Sequence, residues 1–328
     1  MFKKYFVKLS VLFIVLLGSF FLFHGFYFAV NIKGPAIEKK FYTFNNKPFN
    51  DSIKLKLHVY NTGINKVASL LVGDKNPWRP VPTFVIEHPK YGLIVFDSGL
   101  SSKVALMGKK TLHPITRLLF NTHSLKSKDL PSQMVQDSLL PIKVERVIFS
   151  HLHFDHIGNS DAFSKATYYV GQGTDLDNMT RMEGFEPDFM AKLIHNHAFK
   201  EIDFSVGKPF ATFEKAVDLL GDGGLIAIQG NGHLTGSISL FVNLPQGLIF
   251  LAGDEAVHFD WLNNDDVQKI SKNPKRAAEM RNRIRMLREL RPDIIIFPGH
   301  DFPKIPLNRT DIVVNNPILF TKEAWPLN

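Results

Sequence analysis

The sequence predicts an α/β fold in which a sandwich of β-sheets is covered by helices. Two observations lead there: a series of short apolar runs bounded by turn residues, and amphipathic helical patterns lying between some of them. A third sets the scale. The chain has 328 residues, 45% hydrophobic and 21% charged, which excludes a disordered protein. That length suits one α/β domain of about 250–280 residues with a short extra segment.

Residues 9–30 form an apolar run preceded by Lys3, Lys4 and Lys8. As a helix it would be about 33 Å long, enough to cross the hydrocarbon core. No clean small-residue cleavage site follows it. Residues 1–33 are therefore expected to be an uncleaved transmembrane anchor. The amino terminus would be cytoplasmic and the remaining chain exported, with the membrane as a partner. Residues 34–50, within the Asn-, Lys-, Pro- and Gly-rich stretch 31–50, read as a linker, leaving 51–328 as the main domain.

Within that domain, residues 83–87, 93–96, 144–150, 166–170, 225–229, 237–242, 248–252 and 293–297 read as strands, several of them buried on both faces. A helix is expected over 129–139, with Asp129 or Ser132 near its start. The clearest helix follows Asn273, an N-cap with Pro274 at the first helical position. Ala277, Met280, Ile284 and Leu287 recur there at helical spacing and face the core. Arg281, Arg285 and Arg288 take the other faces as solvated charge.

The net charge of +8 is spread along the chain, and no nucleic-acid-binding motif accompanies it. Cysteine is absent, which excludes disulfides, thiolate-held metals and a cysteine nucleophile. Any metal must then be held by histidine and carboxylate. The sequence Ser150-His151-Leu152-His153-Phe154-Asp155-His156 follows an expected strand directly and packs four ligand-type groups into six residues. Chance would place H-x-H-x-D-H in about one in a thousand chains of this composition, so a metal site is the better account. Three more ligand-type residues end apolar strands at glycine-containing turns. They are His233 in Gly230-Asn231-Gly232-His233, Asp254 after Gly253, and His300 after Gly299. Asp97, in Phe96-Asp97-Ser98-Gly99, repeats the pattern and is assigned to orienting a ligand histidine or the hydroxide.

Taken in order, HLHFDH, GNGHLTGS, LAGDE and FPGHD resemble the metallo-β-lactamase fold superfamily over roughly residues 51–328. The resemblance implies an αββα sandwich with a dinuclear metal centre. By motif position His151, His153 and His233 would bind one metal, Asp155, His156 and His300 the other, and Asp254 would bridge them. Imidazole and carboxylate suit zinc first, with iron, manganese or cobalt as alternatives. Such a centre implies a metal-bridged hydroxide attacking an ester carbonyl, with Asp155 relaying a proton to the leaving oxygen. The stretch 56–63, the FDSG turn and the PGHD ending look most like the N-acyl-homoserine lactonase branch, and imply a small lactone or ester substrate. Those lactonases often carry a tyrosine three residues after the bridging aspartate; here that position is Val257, followed by His258. A phosphodiesterase or thioesterase of the same fold, or a non-catalytic metal-binding member, are the competing readings. Met179, Met182, Phe185, Phe189 and Met190 are candidates for an acyl-binding cleft, or else ordinary core. His58, His88, His113, His123, His195 and His197 are not expected to be ligands.

Overall fold

A computed structural model describes residues 2–23, 31–43, 53–72, 76–114, 116–176, 198–266 and 268–325. Fourteen strands are formed among them: β1 (Lys56–Val67), β2 (Trp78–His88), β3 (Gly92–Phe96), β4 (Phe120–His123), β5 (Val144–Ile148), β6 (Thr167–Gly171), β7 (Phe199–Ile202), β8 (Lys208–Phe210), β9 (Phe213–Asp218), β10 (Leu225–Gln229), β11 (Ile238–Leu244), β12 (Gly247–Gly253), β13 (Ile295–Pro298) and β14 (Ile312–Val314). One sheet runs β14-β1-β2-β3-β5-β6-β7 with β4 paired to β1, and the second runs β13-β12-β11-β10-β9-β8.

Period-two alternation sorts each strand's side chains between two layers. On β3, Ile94 and Phe96 join Leu57, Phe84, Ile148, Leu240 and Leu251 in the core between the sheets. Val95 points the other way. It packs with Val147 and Phe149 against Leu130 and Met134 of the helix Leu130–Gln136. Across the second sheet, Ile228, Phe241 and Phe250 pack against Met280, Ile284 and Leu287 of the helix Pro274–Leu290. The result is an αββα sandwich, each large side chain in these layers contributing about 1.5–3 kcal/mol of burial.

Both expected caps form. Asp129 accepts from the Ser132 amide, and Asn273 accepts from the Arg276 amide at 3.1 Å. Asn273→Ala should lower stability by about 1 kcal/mol, read as a shift in the urea unfolding midpoint. Arg281 corrects the sequence reading: it is fully buried rather than solvated. Residues 31–43 run over that face of the helix, and the guanidinium donates to the carbonyls of Asp266 and Ile32 with Trp261 beneath it.

The N-terminal expectation is overturned. Among the described residues no helix is long and apolar enough to cross a membrane. The first helix runs Phe2–Phe23 and so takes Lys3, Lys4 and Lys8 into its first turns. Its uncharged remainder, from Leu9 to Phe23, rises only about 22 Å against a hydrocarbon core of about 30 Å. The transmembrane helix of the expected fold, and with it the membrane as partner, is withdrawn. Residues 24–30 lie outside the described residues.

Candidate metal centre

All seven expected ligand residues come to one edge of the sandwich, in two groups. His151, His153, His233 and Asp254 form one, and Asp155, His156 and His300 the other. Within each group the ligand-type atoms lie within 4.8 Å of one another. The elements explain the convergence. β5 ends at Ile148, two residues earlier than expected, and the irregular stretch after it brings His151 Nε2 to 2.8 Å from His153 Nδ1. One helical turn, Phe154–Ile157, then presents Asp155 and His156. His233 arrives on the turn between β10 and β11, where Asn231 and Gly236 adopt positive φ, and its Nε2 lies 3.0 Å from His153 Nδ1. Asp254 and His300 follow β12 and β13, which are parallel neighbours.

Asp254 sits between the groups. Its Oδ2 lies 3.4 Å from His233 Nε2 and 3.9 Å from His151 Nε2, while its Oδ1 lies 3.6 Å from His156 Nε2 and 3.5 Å from His300 Nε2. Gly299 is required beside it, because a Cβ there would strike Oδ1.

The histidines are oriented from behind. Asp97, at φ +59° after β3, accepts from the Ser150 amide and hydroxyl at 2.7 Å each and lies 2.8 Å from His156 Nδ1. His300 Nδ1 donates to the Pro80 carbonyl at 2.9 Å. Each arrangement leaves Nε2 facing inward. Asn65 donates to Asp155 Oδ2 at 2.6 Å.

Electrostatics follow from burial and neighbours. Burial, reinforced by the surrounding imidazoles, holds His151 and His153 well below the ordinary histidine range, so they are neutral with lone pairs available. Burial also opposes charge on His156, but Asp97, Asp254 and Asp155 outweigh it and lift that imidazole to about 10. For Asp254, burial pushes upward, yet His300, His156 and His233 together hold it well below the usual carboxylate range. Buried His156 Nε2 and Asp254 Oδ1 find no hydrogen-bond partner among the described residues. Orphaned inward atoms on a set of five imidazoles and two carboxylates fit divalent cations that take the place of protons.

Glu255, Ser150 and Asn65 were not assigned roles from the sequence. Glu255 Oε1 accepts from the amides of Gly232 and His233 and from the Ser237 hydroxyl, so it holds the turn that carries His233. Its place directly after Asp254 in LAGDE was the available signal. At the tyrosine position, Val257 contributes its carbonyl to the His300 amide. The adjacent His258 is occupied: Nδ1 accepts from the Asp260 amide and Nε2 lies 3.2 Å from Asp301 Oδ2. His58 and His88 pair with Glu87 and Asp222, away from the centre. The proposed acyl-cleft residues Met179, Met182, Phe185, Phe189 and Met190 lie outside the described residues, as do His195 and His197.

Residues 76–300 match the family model of the metallo-beta-lactamase superfamily. The N-acyl homoserine lactonase AttM of Azorhizobium caulinodans is 27% identical over 252 residues, which cover 75% of this chain and 89% of that protein. AttM of Rhizobium radiobacter is 28% identical over 261 residues, with the same coverage of each chain. Among solved structures, an N-acyl homoserine lactone hydrolase with N-hexanoyl-L-homoserine bound at its catalytic metal centre matches with a TM-score of 0.62 at 20% identity, covering 76% of this chain and 94% of that one. At that identity the likeness is one of fold. With its sandwich, its two ligand groups and a family match across more than half its length, the chain belongs to the metallo-β-lactamase superfamily and is a hydrolase similar to the N-acyl homoserine lactonases.

Proposed function

We propose that this hydrolase opens lactones of the N-acyl homoserine type at two divalent metal ions, zinc being the first choice. His151, His153 and His233 would hold one ion, Asp155, His156 and His300 the other, and Asp254 both. When bound, such ions act as Lewis acids and lower the pKa of a shared water towards neutrality. The observation that carries the reading is Asp254, whose two oxygens face the two groups separately.

The chain's own residues do the rest. Asp97 and the Pro80 carbonyl fix the rings of His156 and His300, so little reorganisation accompanies the reaction. Asn65 holds Asp155 Oδ2, which keeps that carboxylate aimed into the site, where it would pass a proton to the leaving ring oxygen. No serine or cysteine nucleophile is required.

The test uses the full chain, stripped of metal and reloaded with zinc or manganese, and offered lactones, aryl phosphodiesters and thioesters in parallel. Lactone opening is expected, dependent on metal and lowered at least about a hundredfold by Asp155→Ala. Cleavage of phosphodiesters or thioesters in preference to lactones would keep the centre and discard the substrate. Full metal loading without turnover of any of them would favour a non-catalytic member.

A further inference from the structure

Beside the centre lies a cation that the proposed chemistry does not use. Arg79 is 9% exposed and stands directly opposite Asn65 in the β1–β2 register. Opposite residues of an antiparallel pair share a face, and Asn65 on that face bonds Asp155. The next residue, Pro80, supplies the carbonyl that orients His300. Arg79 therefore flanks the Asp155–His156–His300 group.

Its donors are only partly used. Nη1 donates to the carbonyls of Asn76 at 2.6 Å and Trp78 at 3.0 Å, which anchors the guanidinium to its own strand. Nε and Nη2 have no acceptor among the described residues. Burial pulls the guanidinium's pKa down, and Asp301, Asp260 and Asp254, in that order, oppose it. None of these carboxylates forms an ion pair with it, so they supply a compensating field without filling its donors. His258, the residue after Val257, has both ring nitrogens engaged. A nearly buried cation with open donors, already in the field of three aspartates, favours a neutral acceptor over a further anion.

We propose that Arg79 is a specificity-determining residue whose Nε and Nη2 donate to a second, non-scissile carbonyl oxygen of the substrate, such as the amide oxygen of an N-acyl lactone. The inference rests on the lactone reading for its substrate class, and its test separates the two.

Wild type, Arg79→Met and Arg79→Lys are loaded with metal, and their metal content is measured. Each is then assayed on an N-acyl homoserine lactone and on a γ-alkyl lactone of equal length that lacks the amide. Binding of the corresponding N-acyl lactam, which is not turned over, is followed by calorimetry. Arg79→Met is expected to raise KM for the amide-bearing lactone about ten- to a hundredfold more than for the alkyl lactone, the effect of losing a charged donor pair from one carbonyl oxygen. Lactam affinity should fall by a similar factor. Arg79→Lys, whose ammonium cannot reproduce the fork, gives a smaller change in the same direction. Equal losses on both lactones, lactam binding unchanged in both variants, or a larger loss on an aryl phosphodiester would overturn the proposal. A wild type that opens neither lactone while its lactam binding still depends on Arg79 would discard the lactonase reading and keep this site.

Discussion

Asp254→Ala is expected to cut hydrolysis by at least about a thousandfold and to lower the metal content of reloaded protein well below that of wild type. The reason is positional. Among the described residues Asp254 is the one ligand-type group with an oxygen towards each half of the centre. Without it the site would hold four buried imidazoles, the half-buried His153 and one carboxylate, Asp155, which faces only the second group. The two ligand groups would then have no carboxylate in common to offset two bound cations. His300, His156 and His233 hold Asp254 well below the usual carboxylate range against its burial, so the pocket favours a negative charge at this position. Asp254→Asn keeps the volume and one carbonyl oxygen, so it should retain one metal group better than both. Elemental analysis beside the rate separates these outcomes. Wild-type metal content in Asp254→Ala would remove Asp254 from its bridging position.

The centre was legible because its chemistry restricts residue types within short stretches. His151, His153, Asp155 and His156 stand within six residues, and His233, Asp254 and His300 each mark a strand end beside glycine. What surrounds them was less visible. β1 carries Asn61, Thr62 and Asn65 among its apolar residues, which masks the alternation, yet all three are buried by contacts with distant elements. β8 and β9 are short and rich in charge, and they exist as strands through pairing with their neighbours. Arg281 sits at a position that helical spacing assigns to solvent; its burial depends on residues 31–43, far away in sequence. The first helix shows the limit of hydropathy. An apolar run marks where a helix is stable, but the helix boundaries decide how many charges fall inside it. Glu255 likewise acquires its partners, and Arg79 its place opposite Asn65, only once strands and turns distant in sequence are brought together.

Glu255 gives the second large effect, on stability and metal affinity together. This carboxylate is fully buried, and burial raises its pKa despite bonds from Ser237, Gly232 and His233. All three donors converge on Oε1, while Oε2 has no hydrogen-bond partner among the described residues. Gly230 and Gly232 are shaped around it, since a Cβ at either would collide with the carboxylate. Glu255→Ala strands the buried amides of Gly232 and His233, leaves the Ser237 hydroxyl only the Leu234 carbonyl, and opens a void under the His233 turn. The expected cost is about 3 kcal/mol or more, seen as a lower urea midpoint, together with a ten- to hundredfold loss of metal affinity. Glu255→Gln is the informative contrast. Its amide oxygen can take the place of Oε1 and accept all three donors, and the substitution removes a charge that burial disfavours. Its NH2 then takes the place of the unpartnered Oε2 and costs about 1–2 kcal/mol, less than Glu255→Ala, and the protein should keep the metal. A carboxylate acting by charge on the centre predicts the reverse, with both variants losing metal equally. Equal loss in Gln and Ala would therefore reject the turn-holding role, whereas rescue by Gln alone establishes that Glu255 acts through the geometry of His233.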